Sequence, residues 1–314
     1  MTGDRSVADE TWRHVPATDA KYVYSPAHTP VQTVEPGETF TVDTLDCFTG
    51  RYTDPANFSP ETSAWVEENL NPVTGPIAVR GARVGDVVEI SIIDIELTGP
   101  ALVVVSRCQA PSPADWWGEE DHVMALAVID GEIRVGDDIA VRSKPLVGCV
   151  GVAPARETIL SRREGDDFGG NLDASMIGPG ATLTLPVNVD GAFLYFGDAK
   201  AAIGHGEVVC APEIGTRITA SAVVRPKPPG MRVPRVRSGS VLTCVASDID
   251  LAQACRRAFA DLLVWFGDEL DLDRFTAAAL LGMIGHCGVA QVSNHLHTGT
   301  ASVDLTDVLV RSAR

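Results

Sequence analysis

Within residues 197–213 the sequence crowds Asp198, Lys200, His205, Glu207 and Glu213 among the glycines 197, 204 and 206. Carboxylates beside an imidazole can hold a divalent cation, which polarises a carbonyl or lowers the pKa of a bound water. Carboxylates alone can divide the work of general acid and general base. A lysine among them offers a positive charge for a developing oxyanion or, once desolvated, a base. Upstream, Gly169-Gly170-Asn171-Leu172-Asp173 sets two flexible residues before an amide and a carboxylate. Such a loop brings backbone close to a ligand while Asn171 and Asp173 orient a small polar group. We take Lys200, Asp198, Asn171, Asp173 and Glu213 as the candidate catalytic set.

Further candidates lie outside this stretch. Asp46, in Leu45-Asp46-Cys47-Phe48, joins Asp198, His205 and Glu213 as a candidate metal ligand. Its neighbour Cys47 reads as a small hydrophobe on a strand, and it is the cysteine to watch. Asn71 and Thr74 sit in the rigid polar stretch Asn71-Pro72-Val73-Thr74-Gly75-Pro76. They are candidates to touch substrate together with Glu207 and Trp116, although bracing the turn through side-chain-to-backbone bonds suits the first two better. His295 and His297 would share a face if they lay on one strand, a spacing compatible with metal. A polar strand end or a subunit contact is the preferred reading of that pair.

The elements that must position these residues are mostly strands. Runs at 39–42, 87–95, 102–105, 182–187 and 192–196 are β-branched or apolar and bounded by Gly-Asp, Gly-Pro and Pro-Gly pairs. Residues 208–210 read as one more short strand. Near residue 246 the apolar period changes from two to about 3.6. Ser247 then reads as a helix cap with Asp250 at the third helical position, and a second helix runs from Asp273 to Gly285 or Gly288. Strands around 290–292 and 301–303 close the chain. The expected fold is mainly β, sandwich- or barrel-like in an α+β sense, with a C-terminal helical pair. Residues 1–224 form the β body, 225–245 a basic Pro-rich connector and strand, and 246–314 the helices with closing strands.

Charge limits the partners. The 314 residues carry 25 Lys plus Arg against 42 Asp plus Glu, a formal charge of −17. That surface repels phosphate backbones and anionic headgroups, so a small molecule is expected as partner, and neither nucleic acid nor membrane. Seven widely spaced cysteines read as free thiols of a cytoplasmic protein.

Several motifs, taken in order, resemble the acetamidase/formamidase family. They are Asn71-Pro72-Val73-Thr74-Gly75-Pro76-Ile77, then Gly81 and Gly85-Asp86-Val87, Gly151-Val152-Ala153-Pro154-Ala155 and Gly169-Gly170-Asn171-Leu172-Asp173. Leu185-Pro186-Val187, Gly191-Ala192, Gly197-Asp198, Gly204-His205-Gly206-Glu207 and Glu213 complete the series. The likeness covers residues 38–225 well and continues more loosely to Gln291-Val292. It implies a mainly β, oligomeric, cytosolic enzyme that hydrolyses small amides, with zinc or another divalent metal at the site. Where the family loop carries His, Gln and Asp, this chain has Lys200, Ile203 and His205. An ammonium has no lone pair, so Lys200 does not replace a ligating imidazole, and His205 is the candidate to restore one.

Two functions follow. One is amide hydrolysis, with metal on Asp46, Asp198, His205 and Glu213, or with no metal if Lys200 has displaced it. The other keeps the scaffold for a non-hydrolytic biosynthetic step such as cyclisation, elimination or rearrangement, with Lys200 in the altered pocket.

Overall fold

A computed structural model describes residues 12–52, 59–105 and 122–309; Trp116 lies outside them. Strands Thr39–Thr44 and Thr216–Pro226 alternate between buried and more exposed residues, the two-residue period of a strand with one covered face. They flank one another in a nine-stranded sheet. Its order is Arg13–Val15, Thr39–Thr44, Thr216–Pro226, Asp86–Leu97, Ala181–Pro186, Arg235–Ser238, Val241–Asp248, His297–Asp304 and His286–Gln291.

A six-stranded sheet orders Glu164–Gly165, Gly169–Asn171, Leu146–Val152, Leu194–Lys200, Val73–Val79 and Gln32–Val34. Leu146–Val152 and Leu194–Lys200 are buried along their whole length, so neither of their faces meets solvent. One apolar core joins Val42, Ile90 and Ile218 of the larger sheet to Ile77, Val150 and Leu194 of the smaller. Phe40 meets Phe196 edge-on across it at 6.2 Å. The fold is therefore the expected mainly β one, a pair of packed sheets.

Helices Leu251–Glu269 and Arg274–Ile284 bury Ala258, Leu262, Phe266 and Leu281 on Leu242, Cys244 and Val303 of the larger sheet. Asp273 caps the second helix and Gly285 ends it, as the sequence suggested. The first helix starts differently. Ser247 belongs to strand Val241–Asp248, paired to Thr298, and the cap is Asp250, whose carboxylate accepts the N–H of Ala252. Two further expectations shift. Residues 208–210 form no strand, and the strand expected to end at Phe196 continues through Lys200, placing the first charged residues inside the sheet.

The basic stretch 225–237 docks on acidic side chains of the same chain. Arg225 pairs with Glu89, Arg237 with Glu269, and Arg235 with Asp261 at 2.6 Å, the last pair 4% and 1% exposed at the side chains. Asp261 also accepts the backbone N–H groups of Arg232 and Val233. Asp261→Ala should strand the guanidinium in a dry environment and lower unfolding free energy by about 3–5 kcal/mol in urea titrations. A change within about 0.5 kcal/mol would show that the pair contributes nothing.

Candidate active site

Where strand Leu194–Lys200 ends, four carboxylates surround one ammonium. Lys200 Nζ lies 2.9 Å from Asp173, 3.1 Å from Asp198, 3.1 Å from Glu213 and 3.7 Å from Glu207. All five residues are buried. An ammonium has three N–H groups, and the three shortest contacts account for them.

Backbone pairing sets each member in place. Asp198 and Lys200 ride on the strand itself. Glu213 exchanges backbone hydrogen bonds with Leu102 at 2.7 and 2.8 Å, while Ala201 and Ile214 tie its flanks to the end of the same strand. Glu207 follows Gly206, whose N–H reaches Ala290 O at 3.1 Å and whose carbonyl accepts Val292 N–H at 2.9 Å. Asp173 follows strand Gly169–Asn171, which pairs with Leu146–Val152. Asn71, Asp173, Asp198 and Glu207 hold left-handed φ values of 56°, 46°, 53° and 29°. Such conformations cost free energy in L-residues and gather where geometry serves function. Gly148 makes the room: a Cβ there would stand 2.6 Å from Asp173 Oδ1 and 2.7 Å from Asp198 Oδ2.

Three amides complete the cage. Asn71 Nδ2 donates to Asp198 at 2.9 Å and Asn294 Nδ2 to Asp173 at 2.9 Å. Asn171, oriented with its nitrogen toward the carboxylates, donates to Asp198 at 2.7 Å and Asp173 at 3.0 Å. Burial opposes the charge on Lys200, yet the carboxylates around it prevail and hold the ammonium well above the ordinary lysine range. It is a fixed cation and not a base. Burial, with the charges of neighbouring acids, pushes Glu207 and Glu213 well above the ordinary carboxylate range. Asp198 is raised by burial as well, against the pull of Lys200 and a hydrogen bond from Glu213. The hydrogen bond between them favours the charged form of Asp198 and the neutral form of Glu213. Its Oε2 is buried with no hydrogen-bond partner among the described residues.

The cage forms one wall of a cavity of about 440 Å³, with Cys47, Phe48, Leu70 and Val104 on its apolar side. That volume suits a small ligand.

The candidates from sequence divide sharply. Lys200, Asp198, Asp173, Glu213, Glu207, Asn171 and Asn71 meet here. Asp46 does not: its carboxylate accepts the N–H groups of Phe48 and Gly50 in a local turn. His205 is exposed, 3.5 Å from Ser175, and restores no imidazole to the cage. Thr74 spends its hydroxyl on Asp43 O at 2.7 Å. His295 precedes strand His297–Asp304, so the two histidines do not share a strand face. Asn294 was missed because no spacing rule ties it to Asp173, 121 residues earlier. Cys47, the cysteine to watch, is buried on the cavity lining.

Cys47, Asp198 and Glu213 place one donor atom each within 4.8 Å of one another, close enough in principle for a metal. Two of those three already hold Lys200 Nζ at 3.1 Å. An ion on the same carboxylates would press against a tethered positive charge, so the residues present do not fit a divalent metal.

Beside the cage, Glu164 accepts Leu296 N–H at 2.6 Å through one oxygen. Burial pushes its pKa up to about 7. Because the folded state binds this proton more tightly, the associated stability is complete below the unfolded carboxylate pKa and is lost as pH rises through 7. Melting temperature should therefore fall between pH 5 and pH 8 more steeply in the native chain than in Glu164→Gln. Parallel curves would contradict the assignment.

Residues 17–162 and 150–227 match the family model of the acetamidase/formamidase family. Among solved structures, the chain is similar to an acetamidase from Bacillus halodurans, 26% identical with a TM-score of 0.85, covering 94% of this chain and 98% of that one. It is similar also to a predicted acetamidase/formamidase from the thermophile Thermoanaerobacter tengcongensis, 28% identical, TM-score 0.85, with 93% and 95% covered. A gamma lactamase from Delftia acidovorans, 17% identical with a TM-score of 0.62 over 92% and 90%, shares the fold. No curated protein matches. Since the family model spans more than half of the sequence and full-length structures agree with it, this chain belongs to the acetamidase/formamidase family.

Proposed function

We propose that this chain hydrolyses a small linear or cyclic amide to a carboxylate and ammonia or amine, with its own carboxylates as base and acid. Family membership supports amide hydrolysis. The observation that carries the mechanism is the Asp198–Glu213 pair, two buried carboxyl groups on the cavity wall, each 3.1 Å from Lys200 Nζ, of which Glu213 keeps an unpartnered oxygen. Burial raises both, while the hydrogen bond between them favours charge on Asp198 and the proton on Glu213, which assigns the base and the acid.

The amide lies in the cavity with its carbonyl carbon facing the pair. Asp198 takes a proton from water as the water oxygen bonds to that carbon. Lys200, whose N–H groups are engaged, acts through its field on the developing oxyanion and through the positions it imposes on the carboxylates. Glu213 then protonates the leaving nitrogen as the C–N bond breaks. Asp198 is left neutral and Glu213 ionised, and one proton passing between them restores the pair.

Ammonia release from formamide, acetamide and a simple lactam tests the reading. Glu213→Gln and Asp198→Asn should each lower kcat by about 10²–10⁴-fold with smaller effects on KM. Activity should be bell-shaped in pH. The acid limb follows protonation of Asp198, and the alkaline limb follows loss of the Glu213 proton, held well above the usual range. Gly148→Ala, which crowds both aspartates, should depress kcat while leaving the far-UV circular dichroism unchanged. No release from any of the amides would sink the proposal.

A second reading, a non-hydrolytic biosynthetic step on the same scaffold, is favoured by one observation: Lys200 has every N–H engaged by the protein. In that case Lys200→His with Ile203→Gln and His205→Asp should create amide hydrolysis that the native chain lacks.

A further inference from the structure

We infer that Lys200 is the resident cation of this carboxylate cage: its ammonium takes the seat a divalent ion would need, and vacating that seat turns the cage into a metal site. The inference rests on the site proposed for amide hydrolysis but not on its turnover.

Four carboxylates aimed at one point are an oxygen-donor set of the kind that binds a hard cation. The point itself is filled. Nζ stands 2.9 to 3.7 Å from all four, with its N–H groups directed at Asp173, Asp198 and Glu213. Those distances are hydrogen bonds to an ammonium, longer than the 2.0–2.6 Å of metal–oxygen bonds. The cage is thus spaced for the cation it holds.

Lys200 has no obvious retreat. Its side chain is 2% exposed, and it stands on a strand buried along its whole length. Leaving the carboxylates would carry the ammonium into the adjoining cavity, away from the four anions that hold it. The donors of Cys47, Asp198 and Glu213 offer no independent seat, because two of them are the groups Lys200 occupies.

A tethered ammonium differs from a bound ion in two ways. Chelators cannot remove it. Having no vacant coordination position, it also cannot take water as a ligand, so activation of water falls to the carboxylates.

The test compares the native chain with Lys200→Ala and Lys200→Met, each dialysed against zinc chloride or calcium chloride and then desalted. Metal is counted by plasma mass spectrometry, and melting temperature is read with and without EDTA. The native chain should retain far less than one equivalent and melt identically in both conditions. Lys200→Ala should retain about one equivalent of metal per chain, lose it to EDTA, and melt higher when loaded. Lys200→Met keeps the bulk without the charge and should retain less than the alanine variant. If Lys200→Ala is recovered folded only when metal is supplied, that too supports the inference.

A native chain that holds one equivalent of zinc or calcium, lost on Glu213→Gln, would overturn it. So would a folded Lys200→Ala chain that takes up neither ion. A native chain found loaded in this way overturns the inference even if both Lys200 substitutions prevent folding. Because metal is counted without any amide present, failure here and failure of ammonia release are separate results.

Discussion

An ammonium withdrawn from water survives only where anions replace its hydration, and in this protein that requirement shapes everything near the site. Lys200 sits at 2% exposure with four carboxylates about it, each equally in need of a counter-charge. One positive charge does not neutralise four acids, and burial raises the proton affinity of Glu207, Glu213 and Asp198. The amides of Asn71, Asn171 and Asn294 direct their N–H groups to the aspartates.

Much of the fold could be read from the chain. Alternation in Thr39–Thr44 and Thr216–Pro226, and the change of period before Leu251–Glu269, are local signals that neighbouring residues express by themselves. The errors came where a tertiary partner overrode a local preference. Ser247 is a competent cap, but its pairing with Thr298 keeps it in a sheet. Glycine and aspartate at 197 and 198 resemble a turn, but the ladder with Leu146–Val152 carries the strand past them.

The site was legible in its dense half and hidden in its sparse half. Asp198, Lys200, Glu207 and Glu213 are neighbours in sequence, so crowding alone pointed to them. Composition could not separate Asp46 from Cys47, since only the direction of the chain decides which side chain faces the cavity and which closes a turn. His205 looked like a ligand by type, yet it is exposed while Glu207, two residues on, is buried in the cage. The φ of 29° at Glu207 is part of that local geometry, and no residue type announces it.

The link between Asn294 and Asp173 reaches beyond the site. Asn294 stands in the short connection between strands His286–Gln291 and His297–Asp304, held there by the wholly buried side chain of Gln291. The second of those strands also carries Ala301 and Val303, on which the two helices pack. The helical pair is therefore more than a cover for the edge of a sheet. It acts as a buttress, and small movements of the helices have a mechanical route, through one strand and one amide, to the aspartate that holds the ammonium in place.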